Sequence, residues 1–132
     1  MKSNPVVWFE IYVSDMARAK VFYEAVFQTK LEPLPAPSGD ASGMQMLAFP
    51  NDMNTGGAGG TLVKMDGVSP GGGGTMVYFG CDDCAVEQAR VEKAGGKVHQ
   101  GKFSIGEYGH CALIVDTEGN MVGLHSMKCA CI

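Results

Sequence analysis

A chain of 132 residues suits one domain, and folding at that size buries roughly two-thirds of the extended-chain surface. The formal charge of -4, with lysine and arginine scattered along the chain, leaves no basic stripe to neutralise phosphates and argues against a nucleic-acid partner. No run of about 18 apolar residues is available to span a bilayer. Glu10 interrupts any signal-peptide core after Met1-Lys2-Ser3-Asn4-Pro5, so the expected setting is cytoplasmic, away from membranes.

Val6 to Val13 reads as a strand. Val7, Phe9, Ile11 and Val13 alternate with Trp8, Glu10 and Tyr12, which puts an apolar set on one face and a mixed set on the other. Ser14-Asp15 supplies N-cap chemistry, and Ala19, Phe22, Tyr23, Val26 and Phe27 recur at three- and four-residue steps, predicting a helix from Met16 to Phe27. Lys30 to Leu34 is a short strand stopped by Pro33, Pro35 and Pro37. Met44 to Phe49 and Gly60 to Met65 are two more. The run Gly56-Gly57-Ala58-Gly59-Gly60 lacks the lysine and hydroxyl pair of a phosphate loop and reads as a connection.

Gly71 to Gly74 forms a natural linker, since four consecutive glycines hold no regular element. The pattern then restarts. Thr75 to Gly80 is a strand, Asp82-Asp83 caps a helix running to about Ala94, and Gly95-Gly96 ends it. Lys97 to Gln100 begins a strand, and Cys111 to Val115 and Met121 to His125 make the last two, joined by a turn over Asp116 to Asn120. Both halves share one order: strand, Asp-capped helix, three strands. The expected fold class is therefore α+β, a single domain over 1–132 built from module 5–66, linker 67–74 and module 75–128. Each module presents a sheet with one helix on one face, so pairing the modules around a common cup would bury what each leaves open.

Cys81, Cys84, Cys111, Cys129 and Cys131 form an odd set without the spacing of a secreted disulfide framework, so reduced thiols are expected. Cys81 and Cys84 have redox or zinc spacing, and Cys129 with Cys131 could complete a four-thiolate site, although neither pair sits in a recognisable knuckle. The closing Cys129-Ala130-Cys131-Ile132 matches a prenylation pattern only formally, having no polybasic neighbour.

Three segments carry a resemblance. Val13-Ser14-Asp15 opens a helix containing Ala19, Phe22-Tyr23 and Val26-Phe27; the second helix ends in Ala94-Gly95-Gly96; and Val115-Asp116-Thr117-Glu118-Gly119-Asn120 forms an aspartate-x-x-glycine hairpin before the last strand. In these features nearly the whole chain resembles the vicinal oxygen chelate superfamily of glyoxalases, extradiol dioxygenases and bleomycin-binding proteins. The resemblance implies two tandem βαβββ modules forming a glyoxalase-like open-barrel cup. It also implies metal ligands at positions occupied here by Trp8, Met76 and Gly123, and on Gly60 to Met65, which contains no histidine, aspartate or glutamate. Tryptophan, methionine and glycine supply none of the N or O donors that a divalent ion needs, so neither metal nor other cofactor is expected.

If Trp8 faces the cup, alternation brings Glu10 and Tyr12 to the same side, and Met76 with His125 enter from the second module. These five are the candidate site. Glu10 could equally be a solvated carboxylate and His125 a structural hydrogen-bonding group; His99 and His110 read as surface or structural residues, and the Ser104 to Tyr108 segment is the fallback location. Metal-independent binding of a small organic molecule in an apolar cup is the leading function, as the drug-sequestering branch implies. A glyoxalase-type lyase or isomerase and a non-binding scaffold are the alternatives. Open sheet edges, and the frequent pairing of such modules across a two-fold axis in this superfamily, lead to the expectation of a homodimer.

Overall fold

The computed structural model describes residues 6–34, 44–52 and 56–127. Cys129, Cys131, Pro35 and Pro37 lie outside the described residues, and with them the four-thiolate zinc site and the prenylation pattern. The first strand, β1, spans Trp8–Tyr12, shorter than the alternating run, because its parallel partner begins only at Gly59. Beyond it, the Val13 amide still donates to the Val63 carbonyl at 2.9 Å. Helix α1 occupies Met16–Phe27 as the periodicity predicts. The Asp15 side chain accepts from the Arg18 amide, and Gln28 closes the helix in the left-handed region with its amide bonded to the Glu24 carbonyl. Ala19, Phe22, Tyr23 and Val26 are its buried stripe.

Strands β2 (Glu32–Pro33), β3 (Met44–Ala48) and β4 (Gly59–Met65) complete the first sheet, in the order β1-β4-β3-β2. The second half repeats that order with β5 (Val77–Gly80), β6 (Lys97–Ser104), β7 (His110–Val115) and β8 (Met121–Ser126), arranged β5-β8-β7-β6. In each sheet the first strand runs parallel to the last strand of its module, and the other pairs are antiparallel. The internal repeat is therefore real at the level of topology.

One boundary differs from expectation. Helix α2 spans Cys84–Val91 rather than reaching Ala94. Residues 92–95 continue as a turn in which the Ala94 amide reaches the carbonyls of Arg90 and Val91, while Gly95 sits at φ 103° and the Gly96 amide bonds Val91. That closure needs the left-handed residue glycine supplies. Strand β6 begins at Lys97 as expected and runs on to Ser104, with register shifts on both sides of Gln100. Within this irregular stretch the Lys102 amide turns to the Gln88 side chain of α2 at 2.8 Å, and the Lys102 ammonium meets the α2-capping Asp83 at 2.7 Å.

One core serves both modules. Ile11 and Leu62 of the first sheet, Phe22, Tyr23 and Val26 of α1, Cys84 and Val91 of α2, and Ile114 and Leu124 of the second sheet belong to a single buried cluster. Phe79 on β5 links the halves, stacking on Phe27 at 4.5 Å between ring centroids and meeting Phe9 edge-on at 5.9 Å. The helix-covered faces of both sheets are thus turned toward this shared interior. By strand alternation, the faces carrying Glu10 and His125 point away from it.

A hairpin fastens the modules together. Asp116, nearly inaccessible, accepts the Tyr23 hydroxyl at 2.7 Å and the amides of Glu118 and Asn120, each at 2.8 Å. Glu118 receives the amides of Ser14 and Asp15, the Ser14 hydroxyl and the guanidinium of Arg18, all at the start of α1. Asn120 donates to the Tyr12 carbonyl and accepts the Gly71 amide of the linker. The aspartate-x-x-glycine hairpin is therefore the clamp that seats the second module on the first.

Candidate functional site

The outward face of the second sheet carries a cavity of about 580 Å³ lined by Tyr78, Gly80, Phe103, Ile105, Cys111 and His125. Cross-strand register explains the grouping: Tyr78 lies opposite Gly123, Gly80 opposite His125, and Cys111 opposite both His125 and Phe103. Partners in register share a face of the pleat. The Tyr78 ring lies directly over Gly123, where a Cβ would collide with it, yet the residue remains 52% exposed. Nothing would stand near a Cβ at Gly80, so that position opens onto empty space.

His125 is held from the side. Its Nε2 lies 2.7 Å from the carbonyl oxygen of Tyr108, in the 3-10 turn Gly106–Tyr108. The turn is brought against β8 by Gly109, which has φ 105° and no room for a Cβ beside the Ser126 carbonyl. His125 also borders a second concavity of about 740 Å³, with Cys81, Asp82, Glu87 and Met127.

On the first sheet, Glu10 accepts the Tyr12 hydroxyl at 2.9 Å, and that contact raises the Tyr12 phenol above its ordinary value. Both line a crevice of about 350 Å³ with the glycine linker, Asn120 and Met121. Trp8 stands on the same face of β1, 41% exposed. In register with Glu10 is Thr61, fully buried, whose hydroxyl has no hydrogen-bond partner among the described residues.

Of the five residues singled out by sequence, Glu10 and Tyr12 are brought together with Trp8 beside them on one sheet. His125 lies on the other sheet, and Met76 immediately precedes β5 in the alternation that gives Tyr78 and Gly80. Among the described residues, Glu10 and Tyr12 line one concavity and His125 lines two others. The residues that pattern reading missed are Tyr78, Phe103 and Cys111, while Ile105 belongs to the fallback segment Ser104 to Tyr108. Extending the alternation from Met76 would have found Tyr78, whereas Phe103 arrives only through the irregular register of β6.

The three described thiols are not poised for chemistry. Burial, reinforced by Glu87 and Cys84, pushes Cys81 up to about 12, and burial with Cys84 nearby also raises Cys111, so both stay protonated. Cys84 is wholly buried. His110 presents a buried Nδ1 without a partner, and His99 is exposed, so neither joins the cavity. Among the described residues no three histidine, cysteine, aspartate or glutamate side chains are grouped as metal ligands. A glutamate at position 123 would have to displace the Tyr78 ring, so the residues present do not fit the metal that the fold family implies.

Two matched open sheets, each backed by one helix and joined by a common core, define the glyoxalase-like class of α+β proteins. The sequence model of the Glyoxalase/Bleomycin resistance protein/Dioxygenase superfamily matches residues 6–124, and the chain belongs to that superfamily. TnmS3, an antibiotic-binding protein from Streptomyces sp. CB03234, is 26% identical, with a TM-score of 0.66 over 97% of this chain and 99% of that one. A glyoxalase I variant from Zea mays gives a TM-score of 0.71 at 23% identity; the alignment takes in 92% of this chain but only 46% of the maize protein, about half its length. Glyoxalase I from Leishmania major gives 0.66 at 16% identity, covering 95% of this chain and 88% of that one. No curated protein matches. No helix among the described residues is long and apolar enough to cross a membrane.

Proposed function

We propose that the protein binds a small, largely apolar organic molecule without the metal used by catalytic members of its superfamily. The carrying observation is the cavity on the outward face of the second sheet, where Tyr78, Phe103 and Ile105 give an apolar wall and His125 one convergent polar group. Trp8, Glu10 and Tyr12 form the complementary half, supplied with Met76 and His125 across a pair of chains in the cytoplasm. The likeness to an antibiotic-binding protein supports this reading. A glyoxalase-type lyase or isomerase has no donor set at Trp8, Met76 and Gly123 on which to act, and a bare scaffold leaves the cavity unexplained.

Calorimetric titration of the full chain with small aromatic compounds tests it. Gly80→Leu should fill the cavity from a position with free space around it, weakening binding at least tenfold while leaving the thermal midpoint within about 2 °C of the parent. Unchanged affinity in a cavity-filled protein would remove this site.

A second expectation concerns composition and assembly. Purified protein should contain well under one transition-metal ion per chain and scatter light as about twice the 13.9 kDa chain. One zinc, nickel or iron per chain, lost on changing His125 or Glu10, would restore the metal reading. A strictly monomeric mass at micromolar concentration would leave each open face as a separate site.

A further inference from the structure

The hydrogen bond that holds His125 also decides which of its nitrogens remains for a ligand. A carbonyl oxygen only accepts, so the contact between Nε2 and the Tyr108 carbonyl at 2.7 Å places the proton on Nε2. In the neutral ring Nδ1 is then an acceptor, and it has no partner among the described residues. The neighbouring groups do not change this. Cys111, directly across the ladder, is a buried thiol held protonated, and Asp82 and Glu87 line the adjoining concavity rather than this one.

On the same face of the sheet as His125 stands an aromatic ring. The Tyr78 ring rests against the backbone at Gly123, and half of the residue remains in water. Phe103 and Ile105 close the opposite side of the cavity. A planar aromatic ligand can stack on Tyr78 with its edge toward His125.

We propose that the cavity selects planar aromatic molecules bearing a hydrogen-bond donor, a phenolic hydroxyl or an aromatic N–H, that stack on Tyr78 and donate to His125 Nδ1. This inference rests on the small-molecule reading above and adds the chemical class of its ligand. A ligand offering only an ether or carbonyl oxygen in that place would confront a lone pair with a lone pair and leave Nδ1 desolvated and unmatched, which is how a built acceptor rejects an analogue lacking the donor.

The experiment compares 2-naphthol with 2-methoxynaphthalene on the full chain near pH 8, where imidazoles are ordinarily neutral. The naphthol should bind about tenfold more tightly than its methyl ether, the effect of one matched hydrogen bond. In His125→Phe that ratio should fall to about one, with ether binding retained through Tyr78. Nitrogen-15 NMR of the unmodified protein gives an independent measurement that needs no variant: His125 should show the Nε2–H tautomer, with Nδ1 shifting on addition of the naphthol. An Nδ1–H tautomer, or equal affinity for the two compounds in the parent protein, overturns the donor selectivity and leaves the binding reading intact. Failure of both compounds to bind at about millimolar concentration, with Gly80→Leu and the parent indistinguishable, overturns both.

Discussion

Replacing Glu118 with glutamine is expected to destabilise the fold by about 2–3 kcal/mol at neutral pH and to flatten the acid limb of its stability curve. The side chain of Glu118 is wholly inaccessible. Burial alone would push its carboxyl upward. The guanidinium of Arg18, the Thr117 hydroxyl, the Asp15 amide and the Ser14 hydroxyl outweigh that and bring it from 4.5 down to about 2. A displacement of that size corresponds to about 3 kcal/mol, discounted here because half of the Arg18 side chain is in water. Because the folded value lies below the unfolded one, this stabilisation is complete above about pH 4.5 and disappears as the pH falls toward 2. Urea titrations between pH 7 and pH 2 would read the effect. The parent should lose stability steeply across that window and Glu118→Gln much less. Parallel curves would show that the carboxylate is not what the helix start depends on.

Tyr23→Phe should cost about 2 kcal/mol with little change in the surrounding packing. The hydroxyl it removes donates to Asp116 at 2.7 Å inside the core, and without it the carboxylate loses a donor from a site that water does not reach. Burial, followed by the nearby negative charge of Asp116, raises the Tyr23 phenol well above its ordinary value, so it stays a donor throughout the range where the protein folds. Tyr12→Phe is the matched control. Its hydroxyl meets Glu10 at the surface, where such a contact is worth a few tenths of a kcal/mol. Equal chemical midpoints for the two variants would deny the buried clamp its role.

Helix α1 was legible residue for residue because its apolar spacing, its Asp15 cap and its amphipathic face all point to one structure. The repeat was legible for the same reason, each half spelling strand, capped helix and strands in order. The role of Glu118 was not. It sits in a hairpin whose composition already accounts for a turn, and its partners lie about 100 residues away in the chain. For the cavity, parity along β1 and β8 separates Glu10 and His125 from the core-facing side chains of the same strands. Which sheets face each other is a tertiary fact that parity along one strand does not encode, and the contribution of Phe103 depends on register shifts in β6 that no alternating pattern announces.

The outer margins of the two sheets bear on how the molecule behaves in a crowd. Strand β2 is two residues long and ends in Pro33, which has no amide to offer, while β6 is kinked out of regular pairing near Gln100 and carries Lys97 and Lys102. Short, proline-stopped or distorted and charged margins are poor templates for adding a further strand. Open-ended growth by strand addition along those margins is thereby discouraged, even though broad apolar sheet faces lie next to them. Association face against face avoids both of those margins, and it is a mode that a pair of chains can close on itself. The same few residues that make β2 and β6 look like the least regular parts of the fold thus make those two edges poor starting points for a fibre.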